Sequence, residues 1–150
     1  MSEVEITREV HEKLAMSLFN ATWDLLGRED RTEKDDIEMI HSAHASRHHW
    51  GQIGEPLQFE RGEWQISRVY SVLGRSEPTL YHARLCLEIC RENDIGDFDI
   101  AFAYEAMARA YAVPTPWREI GRTTRSTVNW RRRPAGRSMK RETGTTSSAS

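Results

Sequence analysis

Cysteine is almost missing from this chain: Cys86 and Cys90 are its only two in 150 residues. That is too few for a disulfide scaffold, and the four-residue step puts both on one face of a helix, about a turn apart. Nowhere do 18 apolar residues run together, and the start, MSEVEITREV, has no basic stretch leading into an apolar one. Membrane insertion and export therefore lack support, and a reducing cytoplasm is the expected location. The usual catalytic signatures are also missing: no G-x-S-x-G, Walker A, G-x-G-x-x-G or H-E-x-x-H occurs. Asp35 with Asp36, and Asp97 with Asp99, read as acids at helix starts rather than as paired general acids. An enzyme built on this chain would have to assemble its site from scattered residues.

What is present divides unevenly. Residues 1 to 113 carry 12 Lys+Arg against 21 Asp+Glu, a balance of −9, whereas residues 114 to 150 carry 9 against 2, a balance of +7. The net charge of −2 thus hides an acidic body and a basic tail. A length of 150 residues suits one folded unit, which we place at 1 to 113, with a disordered Arg/Ser/Thr-rich tail from 114 to 150.

The body reads as all-α. Five segments rich in Ala, Leu, Glu and Arg, at roughly 4 to 26, 33 to 50, 58 to 73, 77 to 92 and 97 to 113, show apolar residues at steps of three and four and no alternation of period two. Gly27, Gly74 and Gly96 fall at or between helix ends, and Pro56, Pro78 and Pro114 at boundaries or first turns. Thr32, Asp35 and Asp97 supply capping or first-turn acids. Loops this short pair successive helices antiparallel.

The pairs repeat. At an offset of 41, WQISRVYSV (64 to 72) aligns with EAMARAYAV (105 to 113), matching Arg68 with Arg109, Tyr70 with Tyr111 and Val72 with Val113. At 47, DLLGR (24 to 28) aligns with SVLGR (71 to 75). The aliphatic, small and aromatic slots Ile66, Ser67, Tyr70, then Met107, Ala108, Tyr111, and Phe19, Asn20, Trp23, resemble the first helix of the tetratricopeptide (TPR) repeat. LGRSEPTLYHARLCLEI (73 to 89) is similar to the turn and second helix, with Cys86 and Leu87 in core slots. Glu63 stands where that family prefers tryptophan, Thr79 and Ala83 replace its usual alanine and large aromatic, and the periods exceed its usual length of about 34 residues. The resemblance implies antiparallel helical hairpins stacked as a short TPR-like solenoid, with a generic helical bundle as the alternative. The stretch from MIHSAHASRHHWG to GDFDIAFAYEAMARA also resembles a family of small bacterial helical proteins that carry no assigned activity.

If the solenoid holds, a groove runs along the first helices and carries Trp64, Arg68, Glu105 and Arg109. The two arginines suit a peptide carboxylate and Trp64 an apolar side chain, which makes a protein or peptide the expected partner. Equally, the arginines pair with nearby acids such as Glu63 or Glu105 and only keep the surface solvated.

The stretch HSAHASRHHW (41 to 50) raises a second possibility. His41, His44 and His48 fall within about 60° of one another on a helix, and with Cys86 and Cys90 they offer a ligand set for zinc if helices two and four meet. The glutamate that zinc-protease chemistry needs directly after the first histidine is replaced by Ala45. Hydrogen-bonded, half-buried histidines are the favoured account, with no cofactor.

The tail gives a third possibility: WRRRPAGRSMKR, with Trp117 and Trp130 nearby, has the composition of a nucleic-acid arm. A solvated appendage or a shifted reading frame each accounts for it better, and nucleic acid is not the expected partner. An unfinished last hairpin leaves helix five with an apolar face, so self-association into a homo-oligomer is expected.

Overall fold

A computed structural model describes residues 4–115, and those residues form five α-helices and no strand. The helices are α1 (Arg8–Leu26), α2 (Glu33–Ile53), α3 (Pro56–Val72), α4 (Ser76–Glu92) and α5 (Asp97–Ala112). All five expected helices are present, with shifted ends that local chemistry explains. Thr7, not residue 4, opens α1, because its hydroxyl accepts from the Val10 N–H at 3.4 Å. Thr32 and Asp35 close a reciprocal capping box on α2. Pro56, with φ already set, becomes the first residue of α3, while the Gln58 side chain accepts from the Glu55 N–H at 2.9 Å. Gly74 takes φ +71° in the turn between α3 and α4, a conformation cheap only for glycine. The expected tail falls almost wholly outside the described residues.

Helices α1 and α2 pack as one hairpin and α3 and α4 as a second; α2 also packs on α3, α4 on α5, and α1 and α5 each touch α3. Helix α3 is therefore central and meets every other element. Its first-half neighbours are Met39 and Ala43 of α2, which pack with Ile66, Val69 and Tyr70. On the other side Ala83, Ala103, Ala106 and Ala110 bring α4 and α5 close together around Trp64 and Met107.

The aligned slots do not all survive. Ile66, Ser67 and Tyr70 are buried, and the Ser67 hydroxyl donates to the Thr79 carbonyl at 2.9 Å. Their counterparts Ala108 and Tyr111 are exposed. In α5 the small buried residues are Ala103, Ala106 and Ala110, because α5 packs against α4 and α3 and no described element covers its other side.

Gly62 of α3 makes room for the Arg47 side chain of α2. A Cβ built there would lie 2.7 Å from Cδ and 3.3 Å from Cβ of Arg47, whose guanidinium is tied to Glu63 and so cannot swing aside freely. We predict that Gly62→Ala lowers stability by about 1 kcal/mol, overpacking outweighing the helix propensity gained. A raised thermal midpoint would show that Arg47 relaxes at no cost.

Candidate functional site

Buried polar residues, not buried apolar ones, carry the information in this fold. Glu60, Glu63, Gln65, Ser67 and Thr79 are all buried, and three of them lie within six residues of α3. Two of the acids have opposite surroundings.

Glu63 is fully partnered. Arg47 Nε of α2 donates to its Oε1 at 3.0 Å and His82 Nδ1 of α4 to its Oε2 at 2.6 Å. The Arg47 guanidinium lies over the Phe59 ring at 4.6 Å, and His82 stacks on Tyr70 with ring centroids 5.9 Å apart. Tyr70 in turn shares a 2.8 Å hydrogen bond with His44 Nε2. Burial, reinforced by the nearby His82, holds His44 below the usual histidine range. These side chains pin α2, α3 and α4 together.

Glu60 is the contrast. Its side chain is 1% exposed, and Oε1 has no hydrogen-bond partner among the described residues. Oε2 accepts a weak bond from the Cys86 Sγ–H at 3.4 Å, with Cys90 Sγ at 3.9 Å. Burial, with Asp99 of α5 adding to it and the Cys86 bond opposing, pushes the carboxyl up to about 7. Arg61 Nε stands 3.6 Å from Oε1, but its guanidinium is spent on Asp99, with contacts of 2.9 and 3.2 Å. That fork keeps the Asp99 carboxyl below the usual range. Burial raises both thiols, Cys90 to about 11, so neither is a ready nucleophile.

Glu60 forms part of a cavity of about 370 Å³ between α1, α3 and α5, walled by Phe19, Trp23, Trp64, Phe98 and Phe102, with Arg61 and Asp99 at its side. The rings form a chain. Phe19 meets Trp23 edge-on at 6.1 Å, Trp23 meets Trp64 at 5.5 Å, and Trp64 meets Phe102 at 5.7 Å. Phe98 is 79% exposed and Phe102 half exposed, which is unusual for rings this large unless something packs on them.

The expected groove residues come together on the same side. Arg109 lies over the Trp64 ring at 5.6 Å, and its Nη1 donates to both carboxylate oxygens of Glu105 at 2.5 Å. Arg68 and Arg109 share a second, more open hollow of about 340 Å³ toward the C-terminal ends of α3 and α5. Arg109 is thus already paired in part, although its Nε and Nη2 are buried without partners among the described residues.

The metal set is not assembled. His41 and His48 are exposed, His44 is taken up by Tyr70, and Cys86 and Cys90 turn toward Glu60. The side chains of α2 and α4 do meet, through His44 and His82 at 5.3 Å, but the cysteines are not part of that contact. Among the described residues no group of three or more His, Cys, Asp or Glu is placed to hold a metal ion. Nor is any described helix long and apolar enough to cross a membrane. Sequence reasoning missed Glu60 and the aromatic chain around it. The mid-helix Gly62 was the available signal that α3 is crowded on several sides.

No family model matches this chain, and neither a curated protein nor a solved structure matches it.

Proposed function

We propose that this protein is a TPR-like helical module that binds a protein or peptide segment across the face of α1, α3 and α5 and performs no chemistry of its own. The observation that carries the reading is the chain of rings from Phe19 to Phe102, with Phe98 beside it, bounding an open cavity. Aromatic surface of this kind is what central anchors of binding interfaces are made of. The order of packing, hairpin against hairpin with α3 touching α1 and α5, agrees with a short solenoid. The Arg68 and Arg109 hollow at the far end suits a carboxylate.

The test is selection of random peptides displayed against the full chain. We expect enriched peptides whose binding is lost on Trp64→Ala and weakened about tenfold or more on Arg68→Glu, with helicity by circular dichroism unchanged in the second. Selection that enriches nothing would overturn the reading. The open side of α5, with Tyr104 and Tyr111 exposed, also agrees with self-association. Sedimentation showing a monomer mass at every concentration would refute it.

A further inference from the structure

Resting on that binding reading, we infer that the cavity between α1, α3 and α5 is a receptor for a lysine side chain of the bound segment, with the ammonium on Glu60 Oε1 and the stem between the aromatic rings.

Two independent features of the cavity specify this ligand. Its walls are aromatic faces and edges, Trp23 and Trp64 among them, and aromatic faces attract a desolvated cation. Its lining includes Glu60, whose buried Oε1 has no hydrogen-bond donor among the described residues, Arg61 Nε standing off at 3.6 Å, and a buried acceptor in that state is costly until a donor arrives. The ligand must therefore combine positive charge, a donor and enough apolar length to pass the rings. An ammonium on a four-methylene stem meets all three.

The count of free acceptors separates lysine from arginine. A guanidinium presents a planar fork that wants two or more oxygens, whereas an ammonium is a point charge satisfied by one strong acceptor plus ring faces. Glu60 offers Oε1 alone, since Oε2 faces Cys86 and Cys90, and Asp99 is already held at both oxygens by Arg61. A metal ion is the wrong cation for this place. It would ask for several oxygen, nitrogen or sulfur ligands, and the cavity wall is mostly hydrocarbon.

Proton linkage follows from the same contacts. The groups that face Glu60 are Arg61 on its own helix, Cys86 and Cys90 from α4, and Asp99 from α5. Arg61 and Asp99 stay charged across the neutral range, and both thiols stay protonated. Glu60 is thus the group whose proton must leave when an ammonium arrives. Affinity should rise between about pH 5.5 and pH 8, the lysine itself remaining charged throughout.

The experiment uses the peptides enriched on the full chain, resynthesised with each lysine replaced by norleucine or by arginine, and n-butylamine as a free-amine competitor. We expect one lysine in each peptide whose change to norleucine weakens binding about tenfold or more. Arginine should not restore it, and the preference should disappear in Glu60→Gln. Phe98→Ala, which trims a largely exposed ring and leaves the core alone, should also weaken the lysine peptides. It keeps the test valid if Glu60→Gln alters the fold.

Peptides that bind equally well with norleucine overturn the lysine receptor while leaving peptide binding intact. A lysine preference that persists unchanged in Glu60→Gln places the ammonium elsewhere and overturns it too. Displacement of the peptides by n-butylamine at concentrations similar to their own would make the cavity a site for free amines. If no peptide is enriched at all, the binding reading fails first and this inference falls with it.

Discussion

Glu60→Gln is expected to stabilise the protein at pH 8 and to have little effect at pH 4.5. In the folded chain the Glu60 carboxyl titrates at about 7, chiefly through burial, against an ordinary value of 4.5. Between those values the unfolded chain has lost the proton and the folded chain has kept it. The native state then binds more protons, so stability falls as pH rises from about 4.5 to 7, and the full cost is in place above 7. Gln has no charge to bury and removes that cost. The pKa difference sets an upper bound of roughly 3 kcal/mol, and the amide leaves an oxygen or NH₂ unsatisfied in the same place, which returns part of it. A net gain of about 1 to 2 kcal/mol at pH 8, several degrees in Tm for a chain of this size, is the expected result. Urea unfolding of both proteins at pH 4.5, 6 and 8 measures it. Equal midpoints at pH 8 would mean that water or a neighbouring side chain already satisfies Oε1. The cost is that of a buried carboxyl whose nearest cation, Arg61 Nε at 3.6 Å, stands beyond hydrogen-bond distance, and the binding role proposed above is what would offset it.

Much of the fold was legible because it rests on local chemistry. Thr32 with Asp35, Pro56, Gly74 and the three- and four-residue spacing of apolar residues each act within a turn or two, and all appear where the sequence places them. Burial of Cys86 and Leu87 was legible for the same reason, since an apolar stripe on α4 has one face to offer. The histidines were not, because spacing fixes only which face a residue shares. His41, His44 and His48 lie on one side of α2, yet α3 and α4 cover only the middle of that side, where Tyr70 and His82 meet His44. Glu60 and Glu63 were harder still. Acids three residues apart on a helix read as a solvated surface, and only Arg47 from α2 and His82 from α4, or the ring walls from α1 and α5, distinguish an interior from a surface. The groove residues fall between these cases: Trp64, Glu105 and Arg109 do converge, but Arg109 spends part of its guanidinium on Glu105, as the plainer reading of the sequence allowed.

Arg47→Met carries the largest expected loss, about 3 kcal/mol or more, because it leaves the buried Glu63 carboxylate with His82 as its one remaining partner. Exposed ion pairs of the same composition are worth under about 1 kcal/mol, so the size of the loss reports burial and not merely charge. The methionine keeps most of the apolar stem against Gly62 and Phe59, which confines the damage to the missing guanidinium. Glu63→Gln in the same chain should recover a large part of the loss, since the uncompensated charge is gone, and a double-mutant cycle on urea midpoints gives the coupling directly. A loss below about 1 kcal/mol, or no recovery in the double variant, would show that water reaches Glu63 and does what Arg47 was credited with. The two neighbouring acids of α3 then predict opposite behaviour from one helix. Disturbing the Glu63 network should weaken the fold while the remaining folded protein still prefers a lysine peptide, whereas neutralising Glu60 should strengthen the fold and abolish that preference. On these predictions stability and recognition are separated by a single turn of α3, and measuring both quantities on both variants tests that separation more strictly than either measurement alone.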